Sequence, residues 1–238
     1  MDRKLIKRRA KEALKASYWL LVGIFFVVSI ASSVSFFMTY DFKNADLSSH
    51  EAFWKSISQQ RFGGSMKIQA GLSLLNVLFT FFVVNVISVG AAKAALKAYR
   101  GEEFSFRDLF FGFSNSRYLR IVGATALVTL ILGAGFVCCI VPGIIAALGL
   151  SQVPMILADS DTEQGIMIEP MVALGASWRM MKGRKGEFFV FALSFIGWIL
   201  LALVTLGLSD VFYSGPYISI ARAGWYDETD KSMRGYAY

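Results

Sequence analysis

The chain has 238 residues, 55% of them hydrophobic and 15% aromatic, with a mean hydropathy of +0.54, which is too apolar for a soluble domain of this length. A net charge of +7 would suit nucleic acid only if the cations formed a patch, but 20 of the 24 Lys and Arg fall in the N-terminus, the second and fourth loops and the C-terminus, 4 in the first loop and none in the third or fifth. That alternation is the positive-inside pattern, so an integral membrane protein with both termini cytoplasmic is expected, and no nucleic-acid partner.

Residues 2–16, DRKLIKRRAKEALKA, set Ile6, Ala10, Ala13 and Leu14 on one helical face and Lys4, Lys7, Lys11 and Lys15 along another. This is the pattern of a basic amphipathic helix on the inner leaflet. A first membrane helix is expected over 18–38, with Tyr18 and Trp19 in the inner aromatic belt. Ser29-Ile30-Ala31 resembles a cleavage site after a basic start, but the apolar run continues through SFFM, which favours retention. The outer loop, 39–69, holds the sole histidine, His50, without the second ligand a metal would need.

The second helix, 70–96, carries Ser73, Asn76 and Thr80 on one face and Asn85 with Ser88 on another, groups that turn toward other helices in lipid. Its inner end pairs Gly90 with Ala94 and Ala91 with Ala95, a spacing that lets helices approach closely. In the following RGEEFSFRDLFFGF, Ser105 and Asp108 read as a capping box, and Phe106, Leu109, Phe110 and Phe113 follow helical spacing. A second interfacial helix is expected there.

No residue from Ile121 to Ala158 is charged, a run of 38. Val141-Pro142-Gly143 divides it into helices over 119–140 and 142–158, because proline suits a helix's first turn. The second of these is short and holds Gln152 and Pro154. Cys138 and Cys139, adjacent in an apolar run, read as inert packing residues. Asp159, Asp161, Glu163 and Glu169 return the chain to water. Pro170 then opens a third amphipathic helix, with Met171, Leu174, Trp178 and Met181 on one arc and Gly183 closing it. After a basic knuckle, helices are expected over 187–207 and 210–226. Gly215-Pro216 interrupts the second, Arg222, Trp225 and Tyr226 bring it out on the inner side, and a polar tail follows. The fold class is therefore all-α: one polytopic membrane domain, 1–238, with six transmembrane helices as three hairpins, each preceded by a cytoplasmic amphipathic helix.

FSFRDLFFGF, VPGIIAALGLSQVPMILAD, WRMMKGRKGEFFVFALSFIGW, GPY and WYDE, with RKLIKRRAKEALKASYWLL at the start, together give the chain a resemblance to the domain-of-unknown-function family 975, uncharacterised bacterial integral membrane proteins. The resemblance runs over nearly the full chain, least well in the outer loop. It implies six helices and a bacterial, Gram-positive plasma membrane. It brings no catalytic or binding residues.

Chemistry is sparse. No Asp, Glu, His, Lys or Arg lies between the interfacial ends of helices one to five, and HExxH and GxSxG are absent. KGRKG lacks the spacing of a phosphate-binding loop. No enzyme, cofactor or metal is expected, and proton-driven transport, which generally uses an intramembrane acid, is disfavoured. Helices four and six are both short, interrupted returning limbs, an arrangement that can mark a transporter cavity. Pro142, Gly143, Gln152, Pro154, Gly215, Pro216 and Tyr217 would line it and Trp198 would wall it. Capping, kinking and core packing account for the same residues more simply. Arg179, Lys182, Arg184 and Lys185 would contact lipid headgroups at ~1 kcal/mol per charge, or would only set topology. The expected function is non-enzymatic, by association with another membrane protein or with membrane lipids, as an accessory, scaffold or protective factor. The alternative is a small permease or exporter component for an apolar or lipid-like substrate.

Overall fold

A computed structural model of the chain describes residues 3–39, 48–49, 51–52, 55, 76–160, 168–205 and 207–235, and all regular structure among them is helical. His50, nearly all of the outer loop and the first residues of the expected second helix lie outside the described residues.

Helix α1, Arg3–Ala16, buries Ile6, Ala10 and Leu14. At Ser17 the chain turns through 94° into α2, Tyr18–Thr39. The next helix, α3, spans Asn76–Arg100 and includes a π turn at Thr80–Val84. It runs past the expected 96 and stops at Gly101, whose φ of 75° suits the left-handed cap that glycine tolerates. Its small residues let a short helix, α4, Phe106–Leu109, sit directly on it: a Cβ on Gly90 would collide with the Leu109 carbonyl. The Ser105–Asp108 capping box forms, Ser105 N–H donating to Asp108 Oδ2 at 2.9 Å. Of the expected apolar stripe only Leu109 is buried; Phe106, whose ring lies against Gly23 of α2, Phe110 and Phe113 are exposed.

Helix α5, Asn115–Cys138, is followed by α6, Ile140–Gly149, and α7, Val153–Asp159. The break falls at Cys139, which is extended, three residues earlier than Pro142. Pro142 then occupies the first turn of α6, where its missing N–H has no intrahelical partner to lose. The limbs touch closely, with Gly143 against the Phe136 ring. Both cysteines are exposed at this turn. That corrects the packing reading, since a chain reversing between two limbs turns its own corner outward.

Helix α8, Pro170–Met180, ends near Gly183 with φ of 76°. Leu174 and Met181 are buried but Met171 and Trp178 are exposed, so the expected arc is shared between protein and surroundings. Helices α9, Lys185–Leu193, and α10, Ile196–Val204, form one span over Lys185–Val204. A turn with Gly207 at φ 87° leads to a π turn, Asp210–Ser214, and then α11, Gly215–Gly235. Pro216 cannot donate to the carbonyl four residues back and its ring crowds it, a conflict that a widened turn relieves. Gly215 is needed beside it, because a Cβ there would collide with the Asp210 carbonyl. The tail expected after 226 is helical as far as Gly235, laced by Lys231–Asp227 at 2.6 Å and Arg234–Asp230 at 2.8 Å.

Among the described residues four helices are long and apolar enough to cross a membrane: Asn76–Arg100, Arg117–Cys138, Ile140–Asp159 and Lys185–Val204. The bent pair of α1 and the start of α2 would make a fifth. The sixth expected span, α11, carries Arg222 and the ionic residues after it. Helices α3 and α11 form the centre, and α1 packs on both. Helix α5 and the α9–α10 span turn Leu130, Val137, Ile199, Leu203 and Val204 outward. The large apolar side chains therefore clothe much of the bundle surface, while the ion pairs lie at one end.

Candidate functional site

That end is built around Arg100, the last residue of α3. Its Nη1 donates to Asp159 Oδ1 at 2.6 Å and its Nε to Asp227 Oδ1 at 2.8 Å, so one planar guanidinium ties α3 to α7 and α11. Tyr226 Oη donates to Asp159 Oδ2 at 2.9 Å, and Arg9 on α1 pairs with Glu228 at 2.9 Å. The side chains of Asp159 and Asp227 are nearly inaccessible. Burial alone would raise the Asp227 carboxyl, but the bonds and charges of Lys231 and Arg100 outweigh it and hold Asp227 below its ordinary value. Asp230 is raised by burial, only partly offset by Arg234 and increased by the like charge of Asp159.

Two open clefts flank this cluster. One, of about 650 Å³, is lined by Arg9, Tyr99, Arg100 and Lys231 with Asp159 and Asp227 among its acids. The other, of about 480 Å³, lies between Ile156, Ala176, Arg179, Tyr226 and Arg234. Asp159, Asp227 and Asp230 are each ion-paired. Carboxylates held this way fasten helices together; a general base needs a lone pair free toward a substrate.

The eight expected cavity residues fall in three places. Pro142 is exposed and Gly143 buried at the α5–α6 turn, about 15 Å of helix from Gln152. Gln152 is 1% exposed. Its backbone N–H donates to Ser177 Oγ at 3.3 Å and its Nε2 to Ser151 Oγ at 3.3 Å, while Ser177 Oγ donates to the Gly149 carbonyl at 2.8 Å. Pro154 starts α7 beside it. Arg222 reaches this knot from α11, donating to the Ser151 carbonyl at 3.1 Å. The third group does come together: Trp198 packs on Tyr213 at 4.9 Å and on Tyr217 at 6.0 Å between ring centroids, with Gly215 and Pro216 buried between those two tyrosines in the chain. None of the eight lines either cleft.

The basic knuckle is partly engaged. Arg184 Nη1 donates to Ser232 Oγ at 2.8 Å and Lys185 Nζ lies 3.6 Å over the Trp178 ring. Arg179 lines the smaller cleft, and Lys182 is exposed.

Sequence reasoning missed the Arg100 cluster, whose partners are 59 and 127 residues away. Its available signal was WYDE: Asp227 directly following aromatic residues at the end of an apolar helix. It also missed Trp225, which is fully buried against Phe188 and Phe191 and whose Nε1 has no hydrogen-bond partner among the described residues.

Residues 127–232, from α5 into α11, match the model of the family described as Protein of unknown function (DUF975). VPGIIAALGLSQVPMILAD, the knuckle, GPY and WYDE fall inside the match; FSFRDLFFGF and the N-terminal helix do not. No curated protein and no solved structure matches the chain.

Proposed function

We propose that this chain is a six-span integral protein of the bacterial plasma membrane, with both termini cytoplasmic, that acts without catalysis by associating with a membrane protein or with lipids. Helices α2, α3, α5, the α6–α7 limb, α9–α10 and the first half of α11 are the spans in this reading. The observation that carries it is the distribution of surface: apolar side chains face outward along α5 and α10, and Arg100, Asp159 and Asp227 pair with one another at the end taken as the inner one. Such an apolar exterior suits lipid or a membrane partner. The sealed, hydrogen-bonded Gln152 supports association over passage of a substrate.

The test is mass spectrometry of the full chain gently extracted from its own membranes. A membrane protein or lipid recovered at fixed stoichiometry is the expected result; recovery of neither sinks the reading. The permease or exporter alternative is favoured by one observation, the π turns at Thr80–Val84 and Asp210–Ser214, which both pack on α2 and are a recurrent feature of functional sites. On that alternative Gln152→Leu abolishes function, whereas on the association reading activity survives.

A further inference from the structure

Helix α1 does not spread its whole apolar side on a leaflet. Ile6, Ala10 and Leu14 are buried in the bundle, and that orientation brings Lys7 and Lys11, one turn apart, over two aromatic rings. Lys7 Nζ stands 4.7 Å from the Phe195 centroid and Lys11 Nζ 6.0 Å from that of Tyr217. The two rings are themselves in edge contact at 5.6 Å and are only 2% and 3% exposed.

Ring faces attract ammonium groups without neutralising them. Burial, and then the like charges of Lys11 and Arg3, pull the Lys7 ammonium below its ordinary value. The acid on α1, Glu12, stands about 140° round the helix from Lys7, and Glu228 is taken by Arg9. Directly beyond Phe195, α10 presents Ile199 at 57% and Leu203 at 66% exposure. The arrangement is amphiphilic: paired cations on an aromatic floor, continued by an aliphatic strip.

We propose that Lys7 and Lys11 hold the phosphate of one anionic phospholipid, whose acyl chains lie along the outward face of α10. Charge complementarity selects this occupant, since a zwitterionic lipid brings its own cation to the lysines. The inference rests on the membrane reading above. It assigns the lipid to Lys7 and Lys11 of α1, the helix expected on the inner leaflet, and not to the basic knuckle.

The test is native mass spectrometry of the full chain titrated with phosphatidylglycerol and with phosphatidylcholine. One phosphatidylglycerol should be retained in preference to phosphatidylcholine, and Lys7→Gln with Lys11→Gln should weaken it about thirtyfold. Lys7→Arg with Lys11→Arg keeps the charge and should keep the lipid, as should neutralising Arg179 and Lys182. Wild-type retention of both lipids equally overturns the proposal even if the glutamine variant fails to fold. So does undiminished retention by a folded glutamine variant, or displacement of the lipid by inorganic phosphate alone. A parallel alkaline wash of the protein in phosphatidylcholine vesicles separates the two readings. Release sinks the membrane reading; firm retention without phosphatidylglycerol preference sinks only the lipid site.

Discussion

Gly90 is where one missing methyl decides the geometry of two elements. Alanine there would drive a Cβ into the Leu109 carbonyl, and because backbone cannot rotate away, α3 and α4 must separate at about 1–3 kcal/mol. Thermal unfolding in detergent should show Gly90→Ala losing several degrees. Gly175→Ala, in α8 with open space around it, should gain by up to about 1 kcal/mol from helix propensity. Asp227 and Asp230, three residues apart, should respond oppositely to neutralisation. Asp227 has a lowered folded pKa, so its contribution is present above about pH 4 and is lost as pH falls through the lower folded value. Asp230 has a raised one, so its charge opposes folding at neutral pH. At pH 7 Asp227→Asn should therefore lower the midpoint and Asp230→Asn raise it, with both differences shrinking as the wild-type groups protonate; like signs at pH 7 would contradict the assignment. At this scale the sequence was informative only where partners are near. Ser105 and Asp108 declare their box within four residues, and Gly90 declares a close contact but not that Leu109 makes it. Arg100 declares nothing, because its partners come from two other helices.

The knuckle after α8 shows the same division among elements. Pro170 and Gly183 mark its helix correctly, since a missing N–H and a left-handed φ are local demands. What the knuckle touches is tertiary: Arg184 reaches Ser232, on the segment the apolar pattern had left as a tail. The continuation of α11 to Gly235 depends on ion pairs at i, i+4 spacing, a signal present in DETDKSMRG but weaker than hydrophobic periodicity. The π turn at Asp210–Ser214 lay beyond pattern reading, because it arises from Pro216 in a helix that packing keeps continuous, and nothing in the sequence accounts for the one at Thr80–Val84. Reversing Arg184 and Lys185 to Glu should detach the knuckle from α11 and from any acidic lipid or partner. Undiminished co-purification of that lipid or partner with the double variant would exclude the knuckle from binding.

For the molecule as a whole, the all-helical class and the apolar spans follow from hydropathy alone, but the centre of the bundle does not. Arg117–Cys138 and Lys185–Val204 are the most apolar of the four spans, yet both are peripheral, because residues apolar all round are suited to lipid. The core belongs to α3 and α11, whose small and polar residues let them be surrounded by protein. In the six-span orientation Cys138 and Cys139, exposed at the α5–α6 turn, lie on the outer side. A membrane-impermeant maleimide should then label them on intact cells; labelling only after permeabilisation would invert the topology.

Arg100 also bears on the order in which the protein can be made. In the six-span reading its two carboxylate partners belong to the second and third hairpins, and Asp227 follows the final span. However early the preceding hairpins enter the bilayer, the clasp cannot close until residue 227 has left the ribosome. Until then Arg100 and Asp159 wait half-matched, exposed to quality-control proteases. A chain stopped at 226 should insert fully yet be degraded quickly, and pulse-chase of that truncation beside the intact chain would reveal the late, single locking step.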